Sequence, residues 1–182
     1  MSSAPSSGTA FHPHDKERAA NAGRKTSSQF VGFQLAGQDY AFRIEQIQEI
    51  VILDKITKTP QVPDYVEGVC NLRGSIIPII NLRKLFGLEP KPVDRETRTI
   101  VVNVGQRTMG CTVDLVSQVM RIPEETIQPA PETVTSNGAG YIAGFARQND
   151  RLLILLNIDE LLDPAKLDQV SQSASAELPR PT

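Results

Sequence analysis

The sequence predicts a mainly β protein built as two small β-barrels pressed together, with short helices between strands. Three observations lead there. Val31, Phe33 and Leu35 alternate with Gly32 and Gln34, the period of a half-buried strand, and similar runs recur along the chain. A segment that opens at Tyr65, passes Gly68 and ends an apolar run at Asn81 has an echo that opens at Tyr141, passes Gly144 and ends at Asn157, with the same Tyr-to-Asn distance. Shared spacing with shared residue types marks one structural unit used twice. Each copy, at roughly 65 residues of short strands, would be only marginally stable alone, and small barrels protect their edge strands by closing on themselves.

The elements follow in order. The run from Val31 to Leu35 and the run Tyr40, Phe42, Ile44 flank Ala36-Gly37-Gln38-Asp39, a turn, so they form a hairpin. Ile44, Ile47, Ile50 and Val51 then take a three/four spacing that predicts a short helix, ended by Pro60 and Pro63. Residues 76–80 form a buried strand in which Pro78 calls for an edge position or a bulge. Residues 82–86 form a short helix stopped by Gly87. The order then repeats. Residues 100–104 and 109–113 flank a turn at Gly105, Val113, Val116 and Val119 repeat the spacing of Ile44, Ile47 and Ile50, and Pro129 stands where Pro60 stands. Residues 152–156 are the later strand and 158–162 the closing helix. Residues 1–28 and 165–182 are rich in Ser, Ala and charge without apolar periodicity, so they are expected to be tails around a domain at 29–164.

Composition narrows the function. The 182 residues are 40% hydrophobic but only 5% aromatic, with no Trp, which predicts an aliphatic core. A net charge of −2 gives no basic face for nucleic acid. No apolar run is long enough to span a bilayer and no signal peptide is apparent, so a cytoplasmic location is expected, without membrane insertion. Cys70 and Cys111 sit far apart in apolar contexts and are expected to be small buried hydrophobes. His12 and His14 lie in the N-terminal tail, which leaves the folded part without an imidazole base. The carboxylate pairs Glu124-Glu125 and Asp159-Glu160 each start an expected helix, where they favour the dipole rather than acid–base work. The glycines at 138 and 140 lack the Lys of a phosphate loop. No enzyme site, metal site or cofactor is expected.

Arg73 stands out, because it separates two buried-looking runs in the first copy and has no counterpart in the second. It is either an ordinary turn residue or a guanidinium fork held rigidly toward a partner's carboxylate or carbonyl. Glu49, close to Ile47, is either a solvated carboxylate or the polar rim of an apolar contact.

The run Val66-Glu67-Gly68-Val69-Cys70-Asn71-Leu72-Arg73-Gly74, continued by Ile76-Ile77-Pro78-Ile79-Ile80-Asn81-Leu82-Arg83, resembles the signature of CheW-type chemotaxis adaptors. Ile47-Gln48-Glu49-Ile50, Val102-Asn103-Val104-Gly105-Gln106-Arg107, Ile127-Gln128-Pro129-Ala130-Pro131-Glu132 and Leu153-Ile154-Leu155-Leu156-Asn157-Ile158-Asp159 resemble further segments of that family in the same order. The likeness spans about residues 29–164. It implies two SH3-like five-stranded barrels and a non-catalytic scaffold that couples chemoreceptors to the histidine kinase CheA. By the same resemblance, Ile47, Glu49, Arg73, Val116 and Val119 would meet the receptor tip in the groove between barrels, expected to be mostly aliphatic. Gln128 and Glu132 would face the kinase's regulatory domain, whose own CheW-like fold makes alternating rings possible. Two positions depart from the pattern: Asn81 stands where the family usually has Asp, and Thr133 where some members have an aromatic residue.

Two alternatives accompany this reading. One is a related adaptor of a non-flagellar chemosensory pathway, controlling type IV pili or development. The other, from a different class, is a double barrel that binds a small ligand in the inter-barrel groove.

Overall fold

The structure, a computed structural model, describes residues 26–168 and 170. Both histidines and most of the two expected tails lie outside the described residues. In chain order the strands are β1 (Ser27–Leu35), β2 (Gln38–Arg43), β3 (Ile47–Val51), β4 (Val66–Leu72), β5 (Ser75–Asn81), β6 (Arg98–Val104), β7 (Arg107–Val113), β8 (Leu115–Pro123), β9 (Ile142–Gln148) and β10 (Arg151–Leu156). Among the described residues, one-turn helices follow β5, β8 and β10: α1 (Leu82–Leu85), α2 (Glu132–Thr135) and α3 (Ile158–Leu161).

The strands form two five-stranded sheets, ordered β8-β1-β2-β10-β9 and β3-β6-β7-β5-β4. Each is an SH3-like barrel, called here the β1 barrel and the β6 barrel. The chain beyond each edge strand bridges to the opposite edge and closes the sheet. Thr57, past β3, exchanges two backbone hydrogen bonds of 2.9 Å with Val69 of β4. Gln128, past β8, does the same with Phe145 of β9 at 2.8 Å. At both closures the partner strand carries a glycine beside the bridge. A Cβ on Gly68 would lie 2.1 Å from the Thr57 carbonyl oxygen, and one on Gly144 would lie 2.7 Å from that of Gln128. The closure is therefore what those two glycines are for.

The duplication extends to single hydrogen bonds. The Asn81 N–H donates to the Tyr65 carbonyl at 2.8 Å, and the Asn157 N–H to the Tyr141 carbonyl at 2.7 Å. Each Asn side chain then caps the helix that follows: Asn81 Oδ1 accepts from the Lys84 N–H, and Asn157 Oδ1 from the Asp159 and Glu160 N–H groups. An uncharged carboxamide suffices for this cap, which explains how Asn81 replaces the family's Asp without loss of the turn.

The barrels are not the two halves of the chain. Hairpin β1–β2 belongs with β8, β9 and β10, whereas β6–β7 belongs with β3, β4 and β5. Each half lends its hairpin to the other's barrel, and the parallel pairings β2·β10 and β5·β7 are the seams of this exchange.

Three apolar clusters result. Phe30, Ala41, Met120, Ile122, Ala146, Leu153 and Leu155 fill the β1 barrel. Cys70, Ile77, Ile79 and Val101 fill the β6 barrel. The largest cluster lies between barrels, with Phe33, Leu35, Phe42, Ile80, Leu82, Leu85, Ile100, Cys111 and Leu156 at its centre. Leu167 and Val170, beyond the expected end of the domain, are buried in it too. It is not purely aliphatic as the composition suggests. Phe33, Tyr40, Phe86 and Tyr141 stack in succession with centroids 5.5–5.8 Å apart, so the few aromatic rings are concentrated where the barrels meet.

Two segments expected to be helical are strands. After a single 3-10 turn at Ile44–Gln46, residues Ile47–Val51 pair with β6. Leu115–Pro123 pair with β1. The physical reason is a bulge in each. Ile47 opposes Val102 and Glu49 opposes Val101, so β3 holds one residue more than its partner; Val116 opposes Phe33 and Val119 opposes Val31, so β8 does as well. A bulge returns residues three apart to the same face, which imitates helical spacing in the sequence. Pro78 sits where β5 has β4 as its only paired neighbour, since the ladder to β7 begins at Ile79.

Candidate functional site

β4 and β5 are joined by Arg73 and Gly74, at φ 52° and 86°. Two positive φ values are what a tight two-residue hairpin turn of the I′ type requires. The Asn71 side chain accepts from the Gly74 N–H at 2.9 Å and stiffens the turn. From this tip Arg73 reaches β3, where its Nη2 donates to Glu49 Oε2 at 2.7 Å. The two ends of the pair differ in exposure: 77% of the Arg73 side chain is exposed but only 16% of that of Glu49. Glu49 opposes Val101, on the face directed to the β6 barrel core, and its second oxygen, Oε1, is buried with no hydrogen-bond partner.

Beside this pair, on the other face of β3, are Ile47 and Ile50. Ile47 is half-buried against the shared core, and Ile50 is 39% exposed. Val116 and Val119 repeat this on β8: Val116 packs against the shared core, and Val119 is 57% exposed. The residues expected at a receptor contact thus fall into a charged pair, Glu49–Arg73, and two pseudo-equivalent apolar pairs flanking the inter-barrel core. Ile50 completes the first apolar pair and was not among the expected contacts, although its spacing from Ile47 matches that of Val119 from Val116.

Gln128 and Glu132 lie elsewhere. Both are exposed; Gln128 closes the β1 barrel through its backbone, and Glu132 opens α2.

The least exposed ion pair among the described residues is one that sequence spacing does not suggest. Arg83, just past β5, grips Asp114, the residue between β7 and β8, through Nε–Oδ1 at 2.6 Å and Nη2–Oδ2 at 2.8 Å. Asp114 also accepts from the Ala36 N–H in the β1–β2 turn at 2.9 Å. Burial alone would raise the Asp114 pKa, but the hydrogen bonds from Arg83 and Ala36 outweigh it and hold the carboxyl below its ordinary range. The same contact raises the Arg83 guanidinium. This clamp joins one barrel to the other. Near it, Glu67 accepts from Asn81 Nδ2 at 2.7 Å and from Thr112 Oγ1 at 3.1 Å. The C-terminal turn is tied down by the Tyr65 hydroxyl, which donates to Asp168 Oδ1 at 2.6 Å.

Cys70 and Cys111 are free and buried, and burial pushes the Cys111 thiol up to about 12. Glu124 pairs with Ser28 and Arg43, Asp159 accepts from Gln46 Nε2, and Glu160 pairs with Lys166, so these carboxylates hold local structure. Among the described residues no group of three or more His, Cys, Asp and Glu could hold a metal, and no helix is long and apolar enough to cross a membrane.

The profile of the CheW-like domain matches residues 29–166. The chain belongs to the CheW-like family. It is 39% identical over 155 residues to the chemotaxis protein CheW of Klebsiella aerogenes, covering 84% of this chain and 93% of that one. It is 37% identical over 153 residues to the chemotaxis protein CheW of Helicobacter pylori, covering 81% and 92%. The crystal structure of the scaffolding protein TtCheW from Thermoanaerobacter tengcongensis matches it with a TM-score of 0.66 at 34% identity, over 72% of this CheW-like chain and 89% of that one.

Proposed function

We propose that the chain is a cytoplasmic chemotaxis scaffold that couples the tips of chemoreceptors to the regulatory domain of a CheA-type histidine kinase, without catalysis or cofactor. The observation that carries this reading is the Glu49–Arg73 pair: a guanidinium largely in solvent, held on a rigid turn and backed by a mostly buried carboxylate, beside the half-exposed Ile47 and Ile50. An apolar contact with an ordered charged rim suits docking by another protein. Ile47, Glu49, Arg73, Val116 and Val119 form the receptor contact in this proposal, and Gln128 and Glu132 the kinase contact. Such a scaffold transmits state through binding free energies that depend on its partners' conformations. Its relatives are named for chemotaxis, which favours this pathway over pili or development.

Reconstitution tests it. Kinase, receptor signalling fragments and this chain together should give autophosphorylation well above that of kinase and receptor alone, and the increase should fall when a receptor attractant is added. Kinase activity indifferent to the chain would overturn the proposal.

A further inference from the structure

A pocket of about 140 Å³ opens at one end of the β1 barrel. Ser117, Gln118, Gln148 and Asn149 form its rim, and Met120 and Leu153, both buried core residues, form its floor. The ion pair between Arg151 Nε and Asp39 Oδ2, at 2.7 Å, flanks it.

The internal duplication shows what fills the matching place in the β6 barrel. The bulges of β3 and β8 align Ile47 with Val116 and Ile50 with Val119, so Glu49 corresponds to Gln118. The β9–β10 turn, Asn149 and Asp150 at φ 48° and 62°, corresponds to Arg73 and Gly74, so Asn149 matches Arg73 and Gln148 matches Leu72. In the β6 barrel, Leu72 packs on the core and the Glu49–Arg73 pair covers this end. In the β1 barrel all three positions carry neutral carboxamides. Among the described residues, the side chains of Ser117, Gln118, Gln148 and Asn149 make no hydrogen bond within the protein; they are exposed or half-buried and open to solvent.

The chemistry selects a ligand class. Carboxamides offer donors and acceptors together. A charged ligand group would leave water with no opposite charge to meet it, because Asp39 and Arg151 already neutralise each other. A purely apolar group would cover the rim amides without pairing them. The volume equals that of about five waters, enough for one side chain of medium length. We propose that this pocket receives an Asn or Gln side chain projecting from a partner protein, its methylenes on Met120 and Leu153 and its carboxamide on the rim. The site lies on the other barrel from Glu49 and Arg73; Ser117 and Gln118 sit on β8 between Val116 and Val119, but its test uses no receptor.

Nitrogen-15 NMR titration tests it on the full chain, with N-acetylglutamine methylamide as probe and the glutamate, arginine and norleucine analogues as comparisons. The glutamine probe should shift the backbone amides of Ser117, Gln118 and Asn149 in a saturable, millimolar-range titration, with the analogues about fivefold or more weaker. The double variant Gln118→Glu with Asn149→Arg rebuilds the lid of the other barrel and should weaken the glutamine response about tenfold. If spectral dispersion shows that variant to be unfolded, Gln148→Leu alone should produce the same loss. No response at these amides overturns the proposal, as does an equal or stronger response to the charged or norleucine probe, or an undiminished response in the folded lid variant.

Discussion

Arg73 donates to one oxygen of Glu49 at 2.7 Å, while the other oxygen of Glu49 is buried without a partner. The pair is therefore electrically matched but incompletely hydrogen-bonded, and its exposed member is the one free to move. Solvent screens the Arg73 end, which limits what the pair adds to stability and leaves the guanidinium available for recognition.

Arg73→Glu places like charges at the turn and on β3. Binding to receptor signalling fragments is expected to weaken about tenfold or more, with the circular dichroism spectrum unchanged. Pulldown with a folded-state control measures it; unaltered binding would remove Arg73 from the contact.

The Arg83–Asp114 clamp predicts a larger effect on stability. Asp114→Ala leaves a partly buried guanidinium without its partner and should cost about 3 kcal/mol, read from urea unfolding. The pH dependence has a definite sign. The folded pKa of Asp114 is lowered relative to the unfolded value of about 3.9. The contribution is thus complete above about pH 4–5 and is lost as pH falls through the folded pKa. Asp114→Asn should flatten that part of the stability profile.

Tyr65→Phe removes the hydroxyl that holds Asp168 and should destabilise the chain by about 1–2 kcal/mol. The loss should concentrate at the C-terminal turn that buries Leu167 and Val170. Faster limited proteolysis after about residue 165, before any change in the rest of the domain, is the expected signature.

Because each half of the chain supplies strands to both barrels, neither barrel can unfold and leave the other intact. Calorimetry should show one transition with equal calorimetric and van't Hoff enthalpies. Two resolved transitions would contradict this coupling. The thiol of Cys111 should react with a disulfide reagent only through that same global opening.

The hairpins and the repeat are legible in the sequence because each is a local pattern: alternation, a fixed Tyr-to-Asn spacing, an apolar run ending in Asn; that each Asn caps the helix after it is seen only in the structure. The β3 and β8 strands are not, because a bulge writes a helix-like spacing into a strand. The exchange of hairpins is not legible either, since alternation tells which face of a strand is buried and not which strand lies beside it. At the site, Glu49 and Arg73 are each conspicuous alone, but their contact depends on barrel closure at Thr57. The Arg83–Asp114 clamp joins residues whose sequence contexts carry no mutual signal.

The shared hairpin also sets an order of events during synthesis. The β6 barrel has all its strands once Val113 has been added, whereas β1–β2, complete at Arg43, lacks its neighbours β8 and β10 until Leu156. At about 5–20 residues per second this interval is roughly 6–23 s. Until β8 is complete at Pro123 a two-stranded ribbon carrying Phe30, Phe33 and Phe42 has both edges open, and its β2 edge stays open until Leu156. The first hairpin made on the ribosome is among the last to find its place, and it is the segment of this chain most in need of a chaperone.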